Sequence, residues 1–386
     1  MILNENQKLA VLSDEKRIFL LAGAGSGKTR VIIERIQFLI NQGVDTEKIL
    51  CITFTQKAAL EMKERLKGAT VDVYTFHGYC YQLLKKVRDF KIFEFNHVFS
   101  QKELLDITTY KNSLQRTQMP QVYAKYQKYL RERKLLDFDD LMIESFSYLK
   151  KHTYEYLFVD EFQDTNLLQF KLLELMVKKE TAIFCVGDPD QSIYAFRGGK
   201  MDLIERFVVK YEAKVYRLNE NYRSNQGILD VSNRLIAKNL NRIKKELFTS
   251  NTSFYVPKLF VVESKMEKKV IQYIKKYKLF ECAILYRNHY QVSYLRQLLK
   301  RHYLFDVKLL SLHESKGLEF DDVILYGLEI MPHDLDDTYF SVEEERRLLF
   351  VGMTRAKKTL AFFTYKMTRF LKALKLKPHF LEIEKK

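Results

Sequence analysis

Short apolar, β-branched runs separated by longer amphipathic stretches recur along the whole 386-residue chain, and this alternation limits the folds open to it. RIFLLA (17–22), ILCITF (49–54), YLFVD (156–160) and AIFCVGD (182–188) form one series. VYRL (215–218), KLFVVE (258–263), CAILYR (282–287), VKLLSLH (307–313), DVILYGL (322–328) and TLAFFTY (359–365) form a second. A strand that is apolar on both faces must be covered on both faces, so such runs predict parallel sheets with crossover helices. The expected fold class is α/β, with two parallel-sheet domains in tandem. Residues 85–147 lack strand-like runs and are rich in Lys, Tyr, Gln and Leu at helical spacing. They read as a small helical insertion, dividing the first sheet domain into 1–84 and 148–213 and leaving 214–386 for the second. Tyr123, Tyr126 and Tyr129 make a stripe on one insertion helix, which suits either a core or a nucleic-acid backbone.

Lys and Arg total 65 against 49 Asp and Glu, a formal charge of +16. That balance favours a polyanionic partner through steering and counterion release, and is equally compatible with a generic basic surface. Cys51, Cys80, Cys185 and Cys282 are scattered without metal-ligand spacing and read as reduced core residues. The charged N-terminus and the lack of a long apolar run predict a cytoplasmic protein with no membrane partner.

AGAGSGKTR (22–30) follows a strand-like run and leads into the helical pattern VIIERIQFLI. In that setting the backbone N–H groups of Ala22, Gly23, Ala24, Gly25, Ser26 and Gly27 wrap a phosphate, Lys28 reaches the outer phosphates, and the Thr29 hydroxyl ligates Mg²⁺. YLFVDEFQDTN (156–166) ends a strand in Asp160 and Glu161. Adjacent acids there either satisfy a helix N-terminus or, coupled to the phosphate loop, hold Mg²⁺ and activate water. Hydrolysis also needs positive charge at the γ-phosphate, for which Arg223 and Arg355 in the second domain are candidates. Each is otherwise an ordinary ion-pair residue. Fingers from the second domain would place ATP between the domains.

These blocks resemble UvrD/Rep/PcrA-type superfamily 1 DNA helicases. LNENQ (3–7), GAGSGKTR, ITFTQKAALEMKERL (52–66), TFHGYC (75–80), LDFDDLM (136–142), VDEFQDTN, VGDPDQSIYAFRGG (186–199), LNENYRS (218–224), ILYRNHYQVSYLRQLL (284–299), LHESKGLEFDDV (312–323) and RRLLFVGMTRAKK (346–358) occur in the family's order. The resemblance implies RecA-like domains, with Gln7 reading adenine between Arg30 and Tyr222. It implies Asp160 as metal holder, Glu161 as general base, Gln191 as γ-phosphate sensor, Glu319 as completing the nucleotide site, and Arg223 and Arg355 as fingers. Contacts to single-stranded DNA fall on Thr53, Phe54, Thr75, His77, Tyr194, Phe196 and Arg197. Out of its family place, His77 would read as a structural histidine.

Relatives carry a large second insertion between the LYR and LHESKGLEF blocks, whereas LLKRHYLFDVKLLSLHESKGLEF (298–320) joins them here almost directly. The first insertion is short as well. The resemblance implies an Mg-ATP-driven 3′ to 5′ translocase or helicase acting on single strands and single-strand/duplex junctions as a monomer, with a protein partner replacing the missing domain. The alternative is an ATP-gated DNA-binding or regulatory subunit of a nuclease, repair or defence complex. A guanine-reading N-K-x-D sequence does not occur, which counts against a GTPase.

Overall fold

The computed structural model describes residues 3–66, 68–94, 97–149, 154–194, 202–253, 255–332 and 342–379. The chain divides into two compact units. The first comprises Met1–Ala22, Lys28–Asp188 and Tyr194–Leu218; the second comprises Gly23–Gly27, Pro189–Ile193 and Asn219–Lys386.

In the first unit the strands are β1 (Arg17–Ala22), β2 (Ile49–Thr53), β3 (Asp72–Thr75), β6 (Tyr156–Val159), β7 (Ala182–Gly187) and β8 (Lys214–Leu218), with β4 (Lys91–Ile92) and β5 (Leu135–Leu136) pairing separately in the insertion. Among the described residues they form one sheet in the order β3-β2-β6-β7-β1-β8, every pair parallel. β2 is buried along its whole length and β1 everywhere but its first residue, as a strand covered by helices on both faces must be. The covering helices are α1 (Glu5–Leu12), α2 (Lys28–Asn41), α3 (Gln56–Arg65) and α4 (Phe76–Lys85) in the first stretch. Helices α5 (Gln101–Asn112), α6 (Tyr123–Glu132) and α7 (Phe138–Ser145) build the insertion. Helices α8 (Leu167–Met176) and α9 (Asp202–Lys210) return to the sheet. Of the tyrosine stripe, Tyr126 is 1% exposed and packs with Phe99, Ile107 and Leu130, while Tyr123 and Tyr129 lie partly buried against them. The stripe is core.

The second unit has α10 (Gln226–Ile236), β9 (Lys258–Val261), α11 (Met266–Tyr277), β10 (Ala283–Tyr286), α12 (Ser293–Arg301), β11 (Lys308–Ser311), β12 (Phe320–Tyr326), α13 (Val342–Met353), β13 (Ala356–Thr364) and β14 (Pro378–His379). Its sheet runs β11-β10-β12-β13-β9-β14, again all parallel.

Two expectations need correction. VYRL, placed in the second series, is β8, and it closes the first sheet by pairing with β1. It is an edge strand, exposed at Lys214, Val215 and Arg217, and an apolar pattern alone cannot say which sheet an edge joins. The first sheet therefore ends at Leu218, not at residue 213. Nor is the insertion free of strands, since β4 and β5 form a two-residue parallel ladder too short to leave an apolar pattern. All four cysteines are buried and reduced. No helix among the described residues is long and apolar enough to cross a membrane.

Candidate nucleotide and nucleic-acid sites

A parallel sheet gathers the loops that follow its strands along one edge, where ligands of α/β proteins bind. In the first unit that edge carries Thr53 and Phe54 after β2, Thr75 and His77 at β3, Asp160 and Glu161 after β6, and Lys28 and Thr29 opening α2. Asp160 is 6% exposed, its N–H donates to Ile52 O at 2.9 Å, and its Oδ1 accepts the Glu161 N–H at 2.9 Å. Glu161 has φ +50°, a left-handed backbone costly for a side-chain-bearing residue and typical of strained functional sites. Gln163 holds it there: its Nε2 donates to the Glu161 carboxylate, and its Oε1 accepts the Asp188 N–H at 2.8 Å. The amide thus ties the tip of β6 to the tip of β7. Gln163 carried no signal of its own beyond its place in VDEFQDTN.

Gln7, expected at the adenine, is 2% exposed and caps α1. Its Oε1 accepts the Asn4 N–H at 3.0 Å while Asn4 Oδ1 accepts the Gln7 N–H at 2.8 Å. Arg30 makes a 3.6 Å ion pair with Glu34 one turn along α2.

The expected DNA contacts meet in part. Phe54 and Tyr194 stack with ring centres 5.1 Å apart and planes 21° from parallel. Thr53 is buried and donates to Thr55 O at 3.1 Å. Thr75 caps α4 by accepting the Gly78 N–H at 3.0 Å. His77, on the first turn of α4, meets the edge of Phe138 at 5.1 Å. Burial pushes its imidazole down to about 4, so it is neutral at physiological pH. A 460 Å³ cavity beside it is lined by Lys63, Tyr74, Thr75, His77, Tyr81 and Phe138, among others. Phe196 and Arg197 lie outside the described residues.

Phe138 was not singled out from the sequence, although it sits inside LDFDDLM. It is 55% exposed because the acids around it turn inward. Asp137 caps α7 and accepts from Tyr126 Oη at 2.8 Å and Lys111 Nζ at 2.6 Å; Asp140 lies 2.7 Å from the same ammonium.

In the second unit the phosphate loop meets LNENYRS. Gly25 and Gly27 have φ of +65° and +82°. A Cβ on Gly25 would stand 2.5 Å from Asn221 Nδ2, so only glycine fits. Asn221 donates to Ala24 O at 2.7 Å and accepts the N–H groups of Arg223 and Ser224 at 2.8 and 2.7 Å. The Tyr222 N–H donates to Gly25 O at 2.9 Å, and its hydroxyl donates to Glu220 at 2.6 Å. Ser26 turns back to Gly23 O at 2.8 Å.

Arg223 Nε donates to Glu319 Oε2 at 2.8 Å, and Lys357 approaches the other carboxylate oxygen at 2.7 Å. Partial burial opposes ionisation of Glu319, but the bond from Lys357 and the charge of Arg223 outweigh it and hold the carboxyl below its usual range. Arg355, 2% exposed in the turn between α13 and β13, donates to Val351 O at 2.9 Å, Leu318 O at 3.1 Å and Gln191 Oε1 at 3.1 Å. Lys316 Nζ reaches Gln191 O at 3.0 Å. Thus Gln191 and Arg355, chosen separately for the γ-phosphate, are brought into direct contact. Arg242 and Lys245, which flank Asp190, had no recognisable sequence signal.

Comparison with known proteins points to one family. The UvrD/REP helicase N-terminal domain matches residues 3–108 and 94–212, and the UvrD-like helicase C-terminal domain matches 216–305 and 305–367. A probable DNA helicase of Mycoplasma pneumoniae is 30% identical over 96% of this chain and 87% of its own length. A probable DNA helicase II homolog of Mycoplasma capricolum is 36% identical over 65% of this chain and 43% of its own. The ATP-dependent DNA helicase PcrA of Staphylococcus epidermidis is 33% identical over 76% and 49%. The chain therefore spans about half the length of the latter two. With both domain families matched in order over most of its residues, the chain belongs to the UvrD/REP helicase family.

Proposed function

We propose that this chain is a DNA-stimulated ATPase that moves 3′ to 5′ along single-stranded DNA. The segment Pro189–Tyr194 carries this reading. Gln191 bonds Arg355 through its carboxamide, and three residues later Tyr194 stacks on Phe54. A nucleotide-dependent shift at Gln191 has only that short stretch of backbone to cross before it reaches an aromatic platform. Such platforms hold bases without regard to sequence, at about 1–3 kcal/mol per base.

In this reading the phosphate loop and Lys28 hold the triphosphate, Glu161 takes a proton from the attacking water, and Gln191, Arg223 and Arg355 face the γ-phosphate. Glu319 orients Arg223. Gln7, Arg30 and Tyr222 surround the base, which requires the Gln7 carboxamide to serve the adenine as well as its cap. The Thr29 hydroxyl and Asp160 carboxylate are the hard oxygen donors that Mg²⁺ takes, and Asp160 is buried at a strand tip. Bound there, Mg²⁺ would neutralise phosphate charge. Thr53, Phe54, Thr75, His77, Tyr194, Phe196 and Arg197 are assigned to the DNA strand.

Steady-state hydrolysis with and without oligo(dT) tests the assignment: Lys28→Ala and Glu161→Gln abolish the DNA-stimulated rate, and undiminished turnover in both would overturn it. Displacing streptavidin from either end of a biotinylated strand gives the polarity.

One observation favours a second reading, a nucleotide-gated subunit that grips DNA for a partner. Residues 287–307, between β10 and β11, hold only a 3₁₀ turn, α12 and a short turn, and the C-terminal family match breaks at 305. ATP-dependent retention on DNA without displacement would support it.

A further inference from the structure

We infer that Arg242 and Lys245 are positioning residues for Gln191, clamping the neighbouring Asp190 so that the Gln191 carboxamide is held toward Arg355. The inference rests on the reading of Gln191 as a γ-phosphate sensor. Asp190 is 1% exposed and lies in the 3₁₀ turn Pro189–Gln191. Arg242 grips its carboxylate with both prongs, Nε to Oδ1 at 3.0 Å and Nη2 to Oδ2 at 2.7 Å. Lys245 Nζ adds a contact to Oδ2 at 3.2 Å, with its own side chain 1% exposed. Arg242 Nη2 also donates to Lys245 O at 3.0 Å, so the two cations form one closed loop around the carboxylate.

A buried ion group of this kind contributes little net stability, because desolvation offsets attraction; a geometric role explains it better. The bidentate fork fixes the plane of the Asp190 carboxylate as well as its place. Fixing Asp190 leaves the next residue, Gln191, little freedom: it is 3% exposed, and its carbonyl and carboxamide are taken by Lys316 and Arg355. The stretch that supplies the cations has a second attachment. Three residues after Lys245, Phe248 O accepts the Asn221 N–H at 2.7 Å and the Phe248 N–H donates to Asn219 O at 3.2 Å. Asn221 in turn holds Arg223 and the phosphate loop at Ala24. Residues 242–248 therefore strap together the turn bearing Gln191 and the segment bearing Arg223.

A double-mutant cycle on the full chain tests this. Arg242→Lys keeps the charge and loses the fork. Arg242→Lys and Gln191→Ala are each expected to lower DNA-stimulated kcat about tenfold with KM for ATP little changed, as for groups acting in the transition state. In the double variant kcat falls no further than in Gln191→Ala alone. Lys245→Met, which leaves the Asp190–Arg242 pair intact, repeats the cycle should Arg242→Lys not fold, as judged by its thermal midpoint. Independent, multiplying losses overturn the positioning role while leaving Gln191 as sensor. Unchanged kcat in Gln191→Ala overturns the sensor reading and this inference with it.

Discussion

Both units bury a knot of charge, and the two are built with opposite balances. In the insertion, one fully buried ammonium, Lys111, serves the carboxylates of Asp137 and Asp140, with Asp139 close by. In the second unit, one carboxylate, Asp190, is served by two cations. Where acids outnumber the cation, burial and the Asp137 charge push Asp139 up to about 7, and the bond from Asn112 and the charge of Lys111 only partly oppose them. Each knot adjoins a side chain from one of the sequence blocks, exposed Phe138 in one case and in the other Gln191, which we propose faces the γ-phosphate.

The comparison predicts unequal dependence on single cations. Lys111→Met strands carboxylates with no counter-charge and is expected to cost about 3–5 kcal/mol of first-unit stability, read from urea unfolding. A loss under 1 kcal/mol would show that the acids are hydrated or protonated in place. Next in size, Phe138→Ala is expected to weaken binding of labelled oligo(dT) by about 1–3 kcal/mol with the unfolding midpoint almost unmoved, since the ring is largely exposed. Unchanged affinity would show that the exposed ring beside His77 does not touch the strand.

Titration sharpens the contrast further. Asp139 binds its proton more tightly folded than unfolded, so its contribution to stability is complete below its unfolded value of about 4 and is lost as pH rises toward 7. Asp139→Asn keeps an acceptor for Asn112 and removes that slope. Its stability relative to the parent chain should rise by up to about 1.4 kcal/mol per pH unit between pH 4 and 7, and a flat difference would refute the shift. His77 has the opposite sign, because burial depresses it to about 4. Its contribution is complete above its unfolded value of about 6.5 and is lost as pH falls toward 4. The two slopes oppose each other in the parent chain and separate only in the single variants. The smallest effect falls in the second unit. Lys245→Met leaves Asp190 paired with Arg242 and should change stability by no more than about 1 kcal/mol while still lowering turnover; a large loss of stability would make the two knots alike.

Much of the fold was legible because its causes are local. RIFLLA and ILCITF are apolar on both faces, and both became buried strands within one residue of the expected limits. Gly25 and Gly27 mark positive backbone angles, and the strand-loop-helix around them followed. β3 was missed because DVYT is short and half polar, a strand defined by its neighbour β2 more than by its own composition. β8 was assigned to the wrong sheet for a related reason, since an edge strand takes its identity from whichever partner reaches it. Gln7 kept its place in the LNENQ block, yet which group its carboxamide would bond could not be read from it.

By itself the sequence determined the alternation of strands and helices, the phosphate loop, and the ordered blocks that mark the family, since each depends on residues adjacent in the chain. Only the tertiary structure decided that Lys111 lies inside, that Asp190 meets cations 52 and 55 residues away, and that Phe138 is turned outward by the acids beside it. A charged residue read along a chain defaults to the surface, because burial is expensive unless a partner is waiting. Whether one waits depends on how distant segments pack, and no local pattern records it.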